Sequence, residues 1–421
     1  MGIFRVSFKP ANSLVAYCAL SVKTGTRNEN PLYNGMAHLV EHMLFKGTAK
    51  RSSKSINNLI EKEGGELNAY TTKEEIVIYS TILSEDLPKA VDLLLELALT
   101  SIFPQKELDK ELSVIYDEII SYKDSPGESV YDEFESELFR SHPLGMPILG
   151  EKKSLRHITP ALLADFLKSH FTPENMVLTV VSRSDRKGLE RMVSRSLAKY
   201  STDECAIEFV DNGDNVSSVP DNGEFPDLAN RPLREFTAPF KIEKVKRNHQ
   251  AHCVIGATAY SFYHGWRRAA LTLLANIIGG PSTNATLNLL LREKYALVYN
   301  VEASYTPYSD TGIFAVYFGC DKSYLGRCKE LVYEELKRFV EAPLSEKDLK
   351  RAKKQFLGQL YISSDNAETQ CLSMGKSIMV FGKVYPYDYS RNCIESITSE
   401  QLQCVAKEVL AGERLSELVF K

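Results

Sequence analysis

Two spacings of apolar residues recur along the chain: strict alternation over short segments and three-to-four spacing over longer ones. Residues 14–22 are an apolar run that stops at Lys23-Thr24-Gly25-Thr26-Arg27, which predicts a buried strand ending in a turn. Helices are predicted over 37–45 and 55–62, the second closed by Gly64-Gly65. Leu67, Ala69, Val77 and Tyr79 alternate, so 66–83 reads as one or two strands. A strongly apolar helix follows over 87–100. A long amphipathic one covers 106–123, with Leu108, Leu112, Ile115 and Ile119 on one stripe. Residues 176–181 give a further strand. The order then returns, with a strand over 251–257 and a helix over 266–278 closed by Gly279-Gly280. A helix over 287–293, strands over 298–305 and 312–320, and helices over 324–339 and 346–361 complete the pattern.

This repetition predicts an α+β chain of two similar domains, each a mixed or antiparallel sheet with helices packed on it. Asp211-Asn212-Gly213-Asp214-Asn215 and Pro220-Asp221-Asn222-Gly223 are turn chemistry with little to bury. They place domains at 1–205 and 236–421 with a linker over 206–235. Composition agrees: 421 residues, 43% apolar and 25% charged, are those of a globular protein. The net charge of -4 lacks the basic excess of a nucleic-acid binder. No apolar run reaches the roughly 18 residues of a membrane span. The eight cysteines include no C-x₂₋₄-C pair and read as scattered reduced thiols, which makes a cytoplasmic protein the expectation. Residues 14–22, with Arg5 and Lys9 upstream, also have the look of a signal-peptide core. The run is short and contains Tyr17 and Ser21, which favours a strand; a signal removed upstream would instead mean the periplasm.

The chemistry concentrates in Gly35-Met36-Ala37-His38-Leu39-Val40-Glu41-His42-Met43-Leu44-Phe45. On a helix of about 3.6 residues per turn, His38 and His42 project from one face, one above the other. Two imidazoles at that spacing can hold one zinc ion, and Glu41 can lie near the ion's open position as a proton acceptor. The alternative is a pair of structural histidines, but Leu39, Met43, Leu44 and Phe45 bury this helix, where unpaired imidazoles are costly. A catalytic zinc needs a third protein ligand. The helix over 106–123 offers Glu111 and Glu118 on one stripe, with Asp117 turned about 100° away. Of these, Glu118 is the candidate ligand with Glu111 as its support; periodicity alone leaves equally open that all of them are charges on a solvated face.

The run over 35–48 resembles the pitrilysin-type (M16, inverzincin) metallopeptidases. It most resembles the subfamily of mitochondrial processing peptidase β-subunits and their bacterial relatives. The resemblance continues through Gly64-Gly65-Glu66-Leu67-Asn68-Ala69-Tyr70-Thr71-Thr72-Lys73-Glu74 and Asp117-Glu118-Ile119. It goes on through Asp124-Ser125-Pro126, His142-Pro143-Leu144-Gly145 and Ile148-Leu149-Gly150. It implies one zinc ion per chain, held by His38, His42 and Glu118, with Glu111 supporting them and Glu41 as catalytic base. It also implies that Asn68 and Ala69 touch the substrate backbone, as an exposed strand edge can.

In the second half the resemblance implies an active-site Arg and Tyr at Arg292 and Tyr299, suited to donate to a developing oxyanion. Just upstream the chain departs from the family. Gly279-Gly280-Pro281-Ser282-Thr283-Asn284-Ala285-Thr286-Leu287 replaces a glycine-rich loop followed by Ser-Ser-Arg-Leu, and Tyr295-Ala296 replaces the commoner Arg-Gly. In the family the two parts of the site come from two halves of a clamshell, and a chain of this length is one half. The resemblance thus implies a dimer, a homodimer or a heterodimer with a partner lacking the zinc motif. Arg292 and Tyr299 of one protomer would then serve the zinc of the other. The implied activity is zinc-dependent endopeptidase action on peptides or unfolded segments. The alternative is a non-hydrolytic peptide-binding or scaffold subunit.

Overall fold

The computed structural model describes residues 2–200, 205–211 and 232–421. Eleven strands in these residues form two sheets. Strands β1 (Gly2–Pro10), β2 (Val15–Val22), β3 (Glu66–Thr71), β4 (Ile76–Leu83), β5 (Met176–Ser182) and β6 (Cys205–Phe209) make the first. Its order is β3-β4-β2-β5-β1-β6. Strands β7 (Lys241–Lys244), β8 (Gln250–Ala259), β9 (Val298–Pro307), β10 (Gly312–Asp321) and β11 (Ser416–Phe420) make the second. Its order, read from the far edge, is β9-β10-β8-β11-β7.

The two sheets repeat one plan. Edge strand β3 pairs antiparallel with β4, β4 with β2 and β2 with β5, and β5 then runs parallel to β1. In the second sheet β9, β10, β8, β11 and β7 follow the same sequence of antiparallel, antiparallel, antiparallel and parallel pairings. The duplicated α+β module expected from the chain pattern is present, and the run over 14–22 is the interior strand β2 rather than a loose leader.

Five helices of the first half are numbered: α1 (Met36–Leu44), α2 (Ser53–Glu61), α3 (Leu87–Thr100), α4 (Gln105–Lys123) and α5 (Pro126–Leu138). The compact units do not follow the expected cut. The first takes the described residues to Ile119, then 146–211 and Ile362–Pro386; the second takes 120–145, 232–361 and Tyr387–Lys421. In the first unit the helix Ala367–Phe381 lays Cys371 and Met374 on Ala19, Val77 and Val181 of the sheet. Gly375 allows the approach, since a Cβ there would stand 2.6 Å from Ser21 Oγ. In the second unit α5 lays Val130 and Phe134 on Val254 and Leu418. Each sheet is thus covered by a helix from the other half of the sequence, which corrects the division at 1–205 and 236–421. The expected linker over 206–235 is corrected at its start, where β6 pairs in parallel with β1. Most of the remainder, 212–231, lies outside the described residues.

Candidate functional site

Helix α1 starts where two glycines let backbones touch. Gly35 has φ +96°, and a Cβ there would stand 2.7 Å from Leu155 Cδ2 and 3.0 Å from Gly150 Cα. Gly150, at φ +72°, would bring its own Cβ to 2.5 Å from Asn34 O. No side chain fits either place. The first turn of α1 leaves N–H groups without helical partners, and a buried carboxylate receives them. Glu29 accepts from Gly35 N at 2.8 Å, Ala37 N at 2.7 Å and Asn34 Nδ2 at 2.9 Å. Burial pushes the Glu29 carboxyl up to about 7, while these donors pull it back. The inner face of the helix is packed by Leu39, Val40, Met43 and Leu44, which fixes the direction of the opposite face.

That face carries His38 and His42, and α4 brings Glu118 to them. Glu118 Oε2 lies 3.8 Å from His38 Nε2 and 3.8 Å from His42 Nε2. All three donor atoms lie within 4.8 Å of one another. Glu111, two turns earlier on α4, stands with Oε2 3.1 Å from His42 Nδ1, and Lys46 Nζ holds its other oxygen at 2.7 Å. A carboxylate oxygen can only accept here, so Nδ1 carries the proton and the Nε2 of a neutral His42 presents a lone pair. Burial, then the neighbouring His42, pushes His38 down to about 4, so the His38 ring is neutral at pH 7. Its Nδ1 is buried without a hydrogen-bond partner among the described residues.

Three electron-rich atoms therefore converge on one point. A single divalent cation fits them. Donors about 2.0–2.2 Å from one tetrahedral zinc ion stand about 3.3–3.6 Å apart, and the two 3.8 Å separations from Glu118 are within a few tenths of an ångström of that.

Glu41 lies beside His42 and is half-buried. Burial raises its carboxyl above the usual range, and a hydrogen bond from Thr71 opposes that rise. Thr71 Oγ1 donates to Glu41 Oε2 at 2.6 Å, and Oε1 accepts no hydrogen bond from the described residues. Thr71 ends β3, so the strand carrying Asn68 and Ala69 is tied to the helix carrying the histidines. Asn68 is exposed and Ala69 half-buried. Among the described strands β3 pairs only with β4, so its other backbone edge is open.

Arg292 and Tyr299 lie in the second unit. Arg292 sits in a stretch of π-helix, Asn288–Lys294, where an ordinary helix was expected, with Nε 3.8 Å from Glu293 Oε1. Tyr299 is on edge strand β9, the counterpart of β3, and is 86% exposed. The glycine-rich segment before them is pinned. Gln359 receives Asn276 Nδ2 at 2.9 Å and donates to Ser282 Oγ at 2.7 Å, and Asn284 Nδ2 donates to Gln355 Oε1 at 2.7 Å.

Sequence reading passed over Glu29 and Thr71. Alternation along β3 carries a signal for Thr71, because Leu67, Ala69 and Thr71 share the face towards α1. Nothing local marks Glu29.

The geometry agrees with the relatives of the chain. Residues 6–152 match the family described as Insulinase (Peptidase family M16), and residues 157–356 match that described as Peptidase M16 inactive domain. The chain belongs to the pitrilysin-type M16 peptidase family. It is similar to an uncharacterized zinc protease of Streptomyces coelicolor, 29% identical over 93% of this chain and 82% of the relative. It is also similar to the uncharacterized zinc protease YmxG of Bacillus subtilis, 28% identical over 94% of this chain and 91% of the relative. A solved peptidase M16 inactive domain from Pseudomonas fluorescens superposes with a TM-score of 0.83 at 18% identity, covering 98% of this chain and 94% of that one. A protease from Helicobacter pylori gives a TM-score of 0.83 at 18% identity over 98% and 96%. At that identity both speak for the fold. Among the described residues no helix is long and apolar enough to cross a membrane.

Proposed function

We propose that the chain is a zinc-dependent endopeptidase acting on peptides or unfolded polypeptide segments. The observation that carries this reading is the convergence of His38 Nε2, His42 Nε2 and Glu118 Oε2 beside a half-buried Glu41. One zinc ion per chain, held by these three residues, would supply Lewis acidity towards a peptide carbonyl and a water molecule. Glu41 takes the proton of the attacking water at Oε1, since Oε2 is occupied by Thr71. Burial strengthens it as a base. It then returns the proton to the leaving amine. The open edge of β3 pairs with an extended substrate backbone at Asn68 and Ala69, which gives affinity with little sequence preference.

Tyr299 and Arg292 donate to the oxyanion that develops on the scissile carbonyl and position the substrate. We assign them to the site of a partner protomer in a homodimer; a heterodimer with a chain lacking the zinc motif is the other arrangement.

The test combines zinc content by mass spectrometry with cleavage of an unstructured fluorogenic peptide. The wild type should bind zinc and cleave. Glu41→Gln should keep the zinc and lose turnover by about 100-fold or more. Wild-type turnover in that variant would reject the base assignment, and a zinc-free, inactive wild type would favour a scaffold subunit.

A further inference from the structure

A groove of about 1090 Å³ in the second unit lies between the helix Glu346–Ser364 and the helix Tyr387–Glu395. Its floor is apolar, made by Leu349, Leu357, Gly358 and Tyr361. Its rim is cationic. Between Glu346 and Tyr361 the helix carries five cations against two carboxylates, in a chain whose net charge is -4.

Some of the cations around it are already satisfied. Arg391 pairs with Glu395 at 3.0 Å, Lys353 Nζ donates to Glu395 O at 2.8 Å, and Arg351 stands 3.7 Å from Asp348. Lys347, Lys350 and Lys354 make no ion pair among the described residues and are exposed. Three uncompensated charges thus follow one edge of an apolar trough.

Gly358 is the second observation. A glycine inside a helix weakens it. Here the fold does not demand one, because a Cβ at this position would meet nothing within 4 Å. The bare backbone leaves open space in the floor beside Leu357, room that an incoming side chain can fill. The lining of the long helix runs from Glu346 to Tyr361, about 22 Å or four turns.

We propose that this groove docks an acidic amphipathic helix of a partner protein, about four turns long. Its apolar stripe lies over Leu357 and Gly358, and its carboxylates face Lys347, Lys350 and Lys354. A compact anion or a phosphate backbone would match the rim and leave the apolar floor uncovered. The proposal is independent of the peptidase reading, since no residue of the groove belongs to the zinc or substrate site.

The experiment is fluorescence anisotropy of a labelled, end-capped peptide of about 16 residues, with leucines at i, i+3, i+4 and i+7 and glutamates between them, titrated with the full chain. Saturable binding is expected, and it should weaken as salt rises. The triple variant K347E/K350E/K354E should lower the affinity by about tenfold or more. Gly358→Leu, which fills the floor, should do the same with the circular dichroism of the folded chain retained and melting no lower than in the wild type. A leucine–lysine peptide of the same pattern should not bind. Both variants should retain wild-type cleavage of the unstructured peptide, which separates this groove from the zinc site. Absence of saturable binding, or equal affinity in wild type and Gly358→Leu, would overturn the proposal. So would displacement by heparin with an affinity that Gly358→Leu leaves unchanged, since the surface would then be a non-specific polyanion site.

Discussion

Glu111 Oε2 stands 3.1 Å from His42 Nδ1, and the second oxygen of the same carboxylate is held at 2.7 Å by Lys46 Nζ. This contact orients the ring and selects the tautomer with its proton on Nδ1. Glu111→Ala removes that restraint while leaving His38, His42 and Glu118 in place. Zinc affinity should fall by about 10–100-fold. Competition against a chromophoric chelator measures it. Affinity equal to wild type would mean that the Glu111–His42 contact does not organise the site.

What the sequence made legible follows from the range of each signal. Period-two and period-3.6 patterns are local, so β2, α3, α4 and the repeated run from β8 to β10 could be placed within a residue or two, while β3 and β4 read as one stretch of alternation over 66–83. His38 and His42 share one helix, and their relation needs only helix geometry. Glu118 is different. Periodicity put it on a stripe with Glu111, but only the packing of α4 against α1 brings it to the two rings. The exchanged helices were beyond reach for a related reason. The apolar stripes of α5 and of Ala367–Phe381 say that each is buried, and not against which sheet. Winding was equally hidden, since the pattern over 287–293 suits an ordinary helix and a π-helix alike.

One departure from the family pattern has a physical cost. Ala296 has φ +50°, the left-handed region that a side chain disfavours. It sits just past the π-helical stretch, where Ala296 N donates to Arg292 O at 3.1 Å and Leu297 N to Leu291 O at 2.8 Å. This pair of hydrogen bonds is the analogue of the helix-ending Schellman motif, each bond one residue wider as π winding requires, and its left-handed position is one that glycine ordinarily occupies. Ala296→Gly should therefore stabilise the protein, by about 0.5–1 kcal/mol once the greater freedom of glycine in the unfolded chain is subtracted. Urea unfolding followed by circular dichroism checks the sign. Destabilisation would mean that the Cβ of Ala296 packs favourably enough to outweigh the strain.

Acid stability should depend on a buried carboxylate that makes no contact with the histidines. Burial would raise Glu96, but hydrogen bonds from Thr48, Arg51 and Tyr200 outweigh it and hold the carboxyl below its usual value. The contacts are Thr48 Oγ1 at 2.6 Å, Arg51 Nε at 3.0 Å and Tyr200 OH at 2.8 Å. The same balance lowers Asp92, whose burial is outweighed by Lys199, Tyr200 and Ser196. Folded carboxyls of depressed pKa bind protons less tightly than unfolded ones. Their contribution is complete above the unfolded value of about 4.3 and is lost as pH falls through the lower folded value. Glu96→Gln should cost about 3 kcal/mol at pH 7. It should also flatten the acid limb of a melting-temperature profile between pH 5 and the acid transition. An unchanged acid limb would show that other groups govern acid unfolding.

Mixing two inactive variants tests whether Tyr299 serves a partner's zinc site. Glu41→Gln lacks the base and Tyr299→Phe lacks the phenolic donor, so each homodimer is impaired at both sites. If Tyr299 acts across the dimer, a heterodimer of the two carries one site with both groups intact and one with neither. Equal mixing makes half the dimers heterodimers, so turnover should recover to about a quarter of the wild-type value. If Tyr299 acts on the zinc of its own chain, every site in the mixture lacks one group and turnover does not recover. Tyr299 is 86% exposed on strand β9, so removing its hydroxyl should leave folding intact and the comparison clean. Activity that stays at the level of the separate variants after subunit exchange has been verified by mass would therefore reject the shared site.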